Sequence, residues 1–540
     1  MRRRHVLAMI VAVAAVSTAC SGQPSSSGSG ATSQGSHGAT AGTAALKPGG
    51  TMTFALAEDP DKLDPSLGRT LVGREVFANM CEKLYDINSS LTLVPQLASA
   101  LPTLSADGKT VTIALRKGVL FNDGTPMDAA AVKTSLDRDL TIVGSARAGE
   151  LKSVTAVKVV DPSTVQLTLK APYAPLAATL ADRAGMVMSP TQLKKLGTNF
   201  GTDPVCVGPF SFVSRSAGND IVLKKSDYYY DKAKVKLDKV VFKIITDGNV
   251  RLANLRSGDV DAAERLAPTD IAQVESSPDL RLVTATSIGY QGLTVNVGNV
   301  AGVGKPVGKV KTALGSSPQL REAFALSLDR DTINKVVFAG RYAPDCSPLP
   351  LASPYRDASL TCPKADLAKA VQLVKASGVA TPVPVSMIIG TDPESARFGQ
   401  VVQSLAGKAG FKVTLVPTEF TTALDLSDAG KFDVFAIGWS GRIDPDGNLY
   451  VFLATGAPLN IAGLSDPVID KGLEQARQTT DQAARTRLYA QVLRAQQADN
   501  ALIYLYHQKL FLGVSKKVGG IAYYDDGLPR LETAGFTSGP

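Results

Sequence analysis

Alternating apolar and polar residues mark the first half of the chain body. Val111, Ile113 and Leu115 alternate with smaller or polar residues over 110–115, which predicts a strand with one buried face. Two more strands are predicted over 157–160 and 165–169, on either side of an Asp-Pro-Ser turn. These patterns indicate a mixed, partly antiparallel region.

A helical pattern opens the second half. Ser317 is typical of a helix cap, and Pro318 suits the first helical position, where its missing N–H is not needed. Leu320, Phe324 and Leu328 then recur on one face, so we predict a helical segment that ends at Gly340.

Strands and helices then alternate in the order β-α-β-α-β, which predicts a parallel, doubly wound sheet. In such sheets, ligands bind in the crevice outside the carboxyl ends of the strands. The residues just past the last predicted strand are Trp439, Ser440, Gly441 and Arg442, and we predict that they bind ligand. The predicted strands cover 385–389, 411–416 and 432–438, and the predicted helices cover 394–408 and 421–429.

The amino terminus has the pattern of an export signal. Three arginines at 2–4 precede an apolar run over 6–16, which is shorter than the ~20 residues that a membrane span needs. Small residues then lead to Cys20, as in a bacterial lipobox, although Ser17 stands where a bulky aliphatic residue is usual. We predict a signal peptide over 1–19 and lipidation of Cys20. Secretion with cleavage near Ala19 is the alternative.

A linker is predicted over 20–46. This tract is rich in Ser, Gly, Ala and Thr and has no Lys, Arg, Asp or Glu, so it does not bury enough apolar surface to fold. As a flexible coil it would span ~25–30 Å. No later segment holds 18 consecutive apolar residues. We therefore expect the body to lie outside the cytoplasm, tethered to the outer face of the cell membrane.

Composition narrows the function classes. A chain of 540 residues, 44% of them hydrophobic, is too long for one small core, so several domains are expected. The net charge of +8 includes the three arginines of the predicted signal peptide. The body has no long Lys/Arg run and no interleaving of aromatic with basic residues, so we do not expect nucleic-acid binding.

Four cysteines remain after Cys20, an even number that suits an oxidising compartment. Cys346 and Cys362 bracket a short Pro-rich loop, and we predict a disulfide between them. Cys81 and Cys206 would form the second bridge. Four buried thiols are the alternative.

Residues for bond chemistry are sparse. His507 is the only histidine after the linker and no C-x-x-C pair occurs, so neither a metal site nor a cofactor is predicted. Gly-Trp-Ser-Gly at 438–441 misses the spacing of a hydrolase nucleophile elbow. Asp444 and Asp446 flank a proline and are more typical of a turn than of an acid–base pair. We predict no catalytic residues.

Several short sequence blocks then follow in order between residues 50 and 530. They are EDPDKLDP at 58–65, LRKGVLFNDGTP at 115–126, AVKTSL at 131–136, GPF at 208–210, LKKSDYY at 223–229, RSGDVD at 256–261 and LREAF at 320–324. In this order they resemble the family 5 extracytoplasmic solute-binding proteins, which serve importers of dipeptides, oligopeptides, glutathione and nickel chelates.

The resemblance implies an α/β, two-lobed fold of the periplasmic-binding-protein type II, with an extra subdomain inserted in the first lobe. It also implies a monomer that captures a small peptide or peptide-like solute and delivers it to the permease of an ABC importer. A secreted hydrolase and a lipid-anchored ligand sensor on the same fold are the alternatives. The expected boundaries are 47–285 for the first lobe, about 77–204 for its insertion, 290–500 for the second lobe and 505–540 for a segment that returns to the first.

Two arginines bear on the ligand. In peptide-binding members, an acidic residue three places after the crevice tryptophan pairs with the ligand amine, but here Arg442 follows Trp439 at that spacing. Asp444 is the candidate substitute. Arg397 matches an arginine that dipeptide binders place on the ligand carboxylate. Together the two arginines indicate an anionic solute, unless they are solvated surface residues, because guanidinium groups match carboxylates. Trp439 has either a stacking role or a core role.

Overall fold

The computed structural model describes residues 39–40 and 45–537. The predicted signal peptide, Cys20 and nearly all of the predicted linker lie outside these residues. Within them, no helix is both long enough and apolar enough to cross a membrane.

The strands up to residue 244 are β1 (Ala39–Thr40), β2 (Leu46–Lys47), β3 (Thr51–Leu56), β4 (Tyr85–Ile87), β5 (Leu93–Pro95), β6 (Thr103–Leu104), β7 (Thr110–Ala114), β8 (Val154–Asp161), β9 (Thr164–Leu169), β10 (Phe210–Ser216), β11 (Asp220–Lys225) and β12 (Lys239–Ile244). The later strands are β13 (Ala262–Ala263), β14 (Leu280–Thr286), β15 (Tyr290–Val295), β16 (Ala343–Pro344), β17 (Val383–Ile389), β18 (Phe411–Pro417), β19 (Val434–Trp439), β20 (Leu502–His507), β21 (Lys509–Ser515), β22 (Val518–Gly519), β23 (Ala522–Tyr523), β24 (Pro529–Arg530) and β25 (Gly535–Thr537).

The α-helices up to residue 275 are α1 (Leu71–Phe77), α2 (Ala129–Thr141), α3 (Leu176–Thr179), α4 (Pro190–Leu196), α5 (Gly248–Ser257) and α6 (Ile271–Glu275). The later α-helices are α7 (Ala313–Ser316), α8 (Pro318–Ser327), α9 (Arg330–Phe338), α10 (Leu367–Ala376), α11 (Pro393–Lys408), α12 (Phe420–Asp428), α13 (Asp446–Leu453), α14 (Pro467–Gln478) and α15 (Gln482–Asp499). Two 3-10 helices cover Arg183–Gly185 and Gly197–Thr202.

A seven-stranded mixed sheet has the order β10-β11-β12-β3-β13-β21-β14. Its central strand β3 runs parallel to β12 and β13, while β21 and the outer strands pair antiparallel. Phe54 and Phe242 meet edge to face at 5.6 Å in its core. A four-stranded antiparallel sheet, β6-β7-β9-β8, has a separate apolar core. The hairpin predicted around residues 161–163 is confirmed as β8 and β9.

The second large sheet has the order β16-β20-β15-β19-β17-β18. Strand β17 runs parallel to both β18 and β19, as the β-α-β-α-β order predicted. The sheet as a whole is mixed, because β15 pairs antiparallel with β19 and with β20. This mixed helix and strand architecture agrees with the periplasmic-binding-protein type II fold that the sequence resemblance implies.

The helical segment predicted to run on to Gly340 is two helices rather than one. Helix α8 begins after Ser317, whose side chain caps it as expected, but the helix ends at Ser327. Leu328 is extended, and the Asp329 carboxylate accepts a hydrogen bond from the Asp331 N–H to start α9. Hydrophobic spacing alone predicted one continuous helix, but the capping aspartate starts a second helix within it.

The two large sheets are joined where β14 passes to β15 and β20 passes to β21. The Ser287 N–H donates to the Gln508 carbonyl at 3.0 Å, so the two connecting segments lie side by side. His507 is buried beside them, with one ring nitrogen on the Gly289 carbonyl and the other 2.8 Å from an Asp345 carboxylate oxygen. The only histidine after the linker thus holds the crossing together. The lobe boundaries themselves stay a prediction.

Both predicted disulfides are present. Cys81 joins Cys206 with their Cα atoms 4.9 Å apart, and Cys346 joins Cys362 at 5.4 Å. The first links segments 125 residues apart in the chain, and the second closes the short Pro-rich loop.

A buried carboxyl on α2 leads to a pH prediction. Burial raises the pKa of Asp139 to about 8, although Ser66 and Arg147 lower it. The folded state therefore keeps a proton that the unfolded chain has released, so stability falls as pH rises from about 4 to 8. Asp139→Asn should remove this dependence, and wild type should lose up to about 1.4 kcal/mol per pH unit relative to it.

Urea unfolding at several pH values measures this difference. The matched control is Asp137→Asn, a half-exposed aspartate on the same helix that pairs with Lys133. Parallel stability curves for wild type and Asp139→Asn would contradict the prediction.

Candidate functional site

The loop after β19 lies at the predicted crevice position. Strand β19 ends at Trp439, which pairs with Tyr290 of β15, and helix α13 begins seven residues later. Gly441 has φ +84°, and a Cβ there would come within 2.4 Å of the Ile288 backbone. Glycine is therefore required at 441, because the loop crosses the segment that connects the two sheets.

Arg442 is held firmly within this loop. Its N–H donates to the Asn448 side-chain oxygen at 2.7 Å, and its carbonyl accepts from the Asn448 side-chain amide. The guanidinium carbon lies 4.3 Å from the centre of the Trp439 ring, a cation–π contact. The Trp439 ring meets Phe452 edge to face at 5.0 Å. The tryptophan thus packs on the core with one side and on the arginine with the other.

An aspartate from the other side of the crevice meets Arg442. Asp182 starts the 3-10 helix beyond the four-stranded sheet, and its carboxylate lies 2.5 Å from Arg442 Nε. Arg74 of α1 contacts the same carboxylate at 3.2 Å and also donates to the Ser440 hydroxyl at 3.2 Å. Burial raises the pKa of Asp182, but the charges of Arg442 and Arg74 outweigh this effect and hold that pKa well below its usual range.

Positive charge is in excess around this aspartate. The groups that interact there form what we call the arginine cluster: Arg74, Arg147, Arg183 and Arg442 with Asp182 and Glu150. Four guanidinium groups thus face two carboxylates in a region shielded from water. Burial lowers the pKa of Arg442 to about 10, although Asp182 opposes the shift. Since buried charge is unfavourable unless compensated, the cluster is suited to an added anion.

Two unused donors border one cavity of this region, beside the Nε atoms of Arg147 and Arg183, which also lack a hydrogen-bond partner within the described residues. Trp439 Nε1 and Arg442 Nη2 are buried and have no hydrogen-bond partner within the described chain. Both residues line a cavity of about 40 Å³ that Tyr173 and Asp182 also border. A buried unpaired donor destabilises a protein by roughly 1–3 kcal/mol, so two of them side by side indicate a site for a ligand acceptor.

The two aspartates of the loop are already paired. Asp444 accepts two hydrogen bonds from Arg485, at 2.7 and 2.9 Å. Asp446 binds Arg477 at 2.9 Å. It also accepts a hydrogen bond at 3.3 Å from the hydroxyl of Tyr173, a residue on the opposite side of the crevice. Both carboxylates brace the loop, and Asp446 also links it to the opposite side of the crevice.

Arg397 is not among the described residues that border the Trp439 cavity. It is exposed on α11 and lies near Glu394, whose pKa it lowers against the stronger effect of burial. A larger hollow of about 620 Å³ lies along the edge strand β18, between Pro382, Gln403 and Lys412. Because no group of charged side chains converges on that hollow, we place the candidate site at the Trp439 loop.

Sequence reasoning missed Asp182 and Arg74. One signal for Asp182 was available, since Asp182 and Arg183 interrupt an apolar stretch over 176–188 and both are buried. Charged residues are almost never fully buried unless they are paired, so such an interruption points to a partner elsewhere. The identity of that partner is not a property of the local sequence.

Comparison with known proteins gives the chain its family. The model for the bacterial extracellular solute-binding proteins, family 5, middle region, matches residues 92–459. Among curated proteins, the glutathione-binding protein GsiB of Pectobacterium atrosepticum is 28% identical over 487 residues, which cover 88% of this chain and 92% of that protein.

Solved structures agree on the fold. The periplasmic binding protein AgaA of A. tumefaciens R10, in complex with agropinic acid, has a TM-score of 0.79 at 27% identity and covers 90% of this chain and 96% of its own. The binding protein DppA of Helicobacter pylori, in complex with the peptide STSA, has a TM-score of 0.82 at 22% identity, with coverage of 91% and 99%. The chain belongs to the family 5 bacterial extracellular solute-binding proteins.

Proposed function

We propose that this protein is the substrate-binding component of an ABC importer and that its ligand is a small peptide-like solute with a carboxylate. The observation that carries the ligand class is the pair of unused donors, Trp439 Nε1 and Arg442 Nη2, beside an arginine cluster with excess positive charge. A carboxylate accepts hydrogen bonds from both donors and compensates that charge.

Two relatives support an acidic ligand. GsiB is named for binding glutathione, a peptide with two carboxylates, and AgaA was solved with agropinic acid, itself an acid. Their likeness to this chain supports the proposed ligand class without fixing the compound.

The proposed mechanism involves no bond chemistry. The ligand enters an open crevice, the two sides close over it, and the closed form docks on a membrane permease. Contacts across the crevice stabilise the closed form: Arg442 with Asp182, Arg74 with Ser440, Tyr173 with Asp446, and Arg69 with Asp428 at 2.7 Å. Delivery to the permease would need these contacts to open again.

The location we propose is the outer face of the cell membrane, through a lipid on Cys20. The proposal rests on the apolar run, the small residues before Cys20 and the uncharged tract after it. Replacement of Cys20 by alanine should release the protein into the medium. Retention of this variant in the membrane fraction would contradict the anchor.

A ligand panel tests the binding function. Thermal unfolding of the secreted body is followed with glutathione, acidic dipeptides, neutral dipeptides and nickel chelates. We expect a raised melting temperature with carboxylate-rich peptides, together with a change in the fluorescence of Trp439, the single tryptophan. Native mass spectrometry of the complex should recover the ligand unchanged, whereas a hydrolase would release products. No shift with any compound would contradict the proposal.

A further inference from the structure

An exposed loop without negative charge lies at the rim of the crevice. We call residues 298–311 the rim loop. It contains no Asp or Glu, and Val300 and Val307 within it are 50% and 44% exposed. Its exposed lysines are Lys305, Lys309 and Lys311. Two exposed valines alone are ordinary for a protein surface, so the rigidity and the position of the loop decide what it does.

The base of the rim loop is fixed by a buried asparagine. Asn299 is 4% exposed, and its side-chain amide donates to the Ser427 carbonyl at 3.0 Å. Its side-chain oxygen accepts a hydrogen bond from the Gly302 N–H at 3.0 Å. Towards the other end of the loop, the Gly308 N–H donates to the Gly298 carbonyl at 2.8 Å. The loop therefore closes on itself, as compact surface loops with a function often do.

An ion pair across the crevice ties the rim loop to the opposite side. The Val303 N–H donates at 2.8 Å to the carbonyl of Asp428, the last residue of α12. The Asp428 carboxylate accepts a hydrogen bond from Arg69 Nη1 at 2.7 Å. The side chains of Arg69 and Asp428 are 30% and 28% exposed, so the pair lies at the edge of the crevice, where the two sides meet.

A second exposed turn stands beside Arg69. Val143 is 95% exposed and lies in the turn just after α2, and we call residues 142–145 the Val143 turn. The next residue, Ala146, donates its N–H to the Ser66 carbonyl at 2.9 Å, three residues before Arg69. Exposed valines from the two sides of the crevice thus flank the same ion pair.

The arginine cluster is connected to this ion pair through Gly68. The Gly68 carbonyl accepts hydrogen bonds from Arg183 Nη1 at 2.8 Å and from Arg147 Nη2 at 3.3 Å. Gly68 directly precedes Arg69, so the cluster and the ion pair hold one segment of backbone. A ligand at the cluster and the ion pair at the rim therefore stabilise the same closed arrangement.

We propose that the rim loop and the Val143 turn together form the surface that docks on the permease, which contacts them with carboxylates and apolar side chains. The inference rests on the proposed function and names the contact surface of its partner. Because its two parts lie on opposite sides of the crevice, the surface is complete only in the closed form. The three lysines of the rim loop call for acidic groups on the permease, since interfaces pair opposite charges.

A phospholipid surface is the other partner that exposed lysines and valines could fit. Neither the rim loop nor the Val143 turn contains Trp, Tyr or Phe, and aromatic residues are what proteins enrich at a membrane interface. Neither segment forms an amphipathic helix, the usual element that lies on a membrane. These observations favour a protein partner.

Photo-crosslinking tests the surface in cells that produce the full chain and its importer. Benzoylphenylalanine replaces Val143 or Val307, one position at a time, and the cells are fed a casein hydrolysate as a mixture of small peptides. The matched control position is Val468 on α14, which is also 44% exposed. Mass spectrometry should identify a permease subunit in the adducts of positions 143 and 307, at a yield at least about 10-fold above position 468, because a specific interface covers only a small part of the surface.

Charge reversal separates docking from ligand binding. In the chain that carries the crosslinker at position 143, Lys305→Glu/Lys309→Glu/Lys311→Glu should lower the yield of permease adduct by about 10-fold or more, because like charges then meet at the interface. The melting temperature of the purified triple variant should rise with the hydrolysate as much as that of wild type. The matched control reverses three exposed lysines on α9, α10 and α11: Lys335, Lys375 and Lys408.

Three results would overturn the surface. The first is an equal yield of permease adduct at positions 143, 307 and 468. The second is adducts with phospholipid, or without a permease subunit, at both test positions. The third is a triple variant that also loses the thermal shift, which would assign its lysines to folding or ligand binding. If wild type keeps its thermal shift, each result leaves the proposed solute binding intact, whereas absence of that shift counts against the proposed function itself.

Discussion

Arg442→Asp is expected to weaken the binding of carboxylate-bearing ligands by about 100-fold or more, equivalent to about 2.7 kcal/mol. The change removes one of the two unused donors and places a carboxylate beside Asp182, which lies 2.5 Å from the native guanidinium. Two carboxylates facing each other across the crevice repel a third. They also disfavour closure, since the contact between the two sides changes from attractive to repulsive.

Titration with a ligand identified in the panel measures the loss, together with urea unfolding of the free protein. Arg256→Asp is the charge-matched control, because Arg256 is exposed on α5 and, among the described residues, its side chain donates only to Gln273. Arg442→Lys keeps the charge but loses the fork, so its affinity should fall between those of wild type and Arg442→Asp. An unchanged ligand profile in Arg442→Asp would place the site elsewhere.

The position of this loop was predictable because it depends on local periodicity. The alternation of strands and helices over 385–438 follows from the spacing of apolar residues close together in the chain. In a parallel sheet, the carboxyl ends of the strands lie at the same edge. Strands β17, β18 and β19 formed within two residues of the predicted bounds. Trp439, Ser440 and Arg442 therefore lie at the crevice that the pattern indicated.

The partners of Arg442 were not predictable in the same way. Arg74 and Ser440 are 366 residues apart in the chain, and their contact exists only because two separately built regions meet. The same holds for Asp182, whose burial is a consequence of tertiary packing. The positive charge of the loop could be predicted from the sequence. The excess of arginines around the loop could not, because it depends on how four distant segments of the chain are arranged.

Asp444 is a candidate site residue whose pairing could not be predicted from the local sequence. Its place two residues after Arg442 made it a reasonable candidate for the ligand amine. Arg485, on α15, takes both of its oxygens. Helix α15 was not connected to the loop by any local pattern, so only the fold reveals that this carboxylate is already neutralised.

The second large effect concerns the Cys81–Cys206 disulfide. Replacing both cysteines by alanine is expected to lower the free energy of unfolding by about 4–5 kcal/mol, because the bridge closes a loop of 125 residues and restricts the unfolded chain. The matched double variant Cys346→Ala/Cys362→Ala removes a bridge that closes a loop of only 16 residues. Its free energy of unfolding should fall by about 3 kcal/mol. Denaturant unfolding under non-reducing conditions measures both.

The same bridge bears on the site. Cys81 follows α1, which carries Arg74 and Glu75, and Cys206 pairs with Met188, six residues after Asp182. The disulfide therefore ties together the two segments that position Arg74 against Asp182. We expect the Cys81/Cys206 variant to lose ligand affinity as well as stability, whereas the Cys346/Cys362 variant should lose mainly stability. Equal effects of the two variants on both quantities would show that chain restriction, and not the positioning of α1, is what this bridge provides.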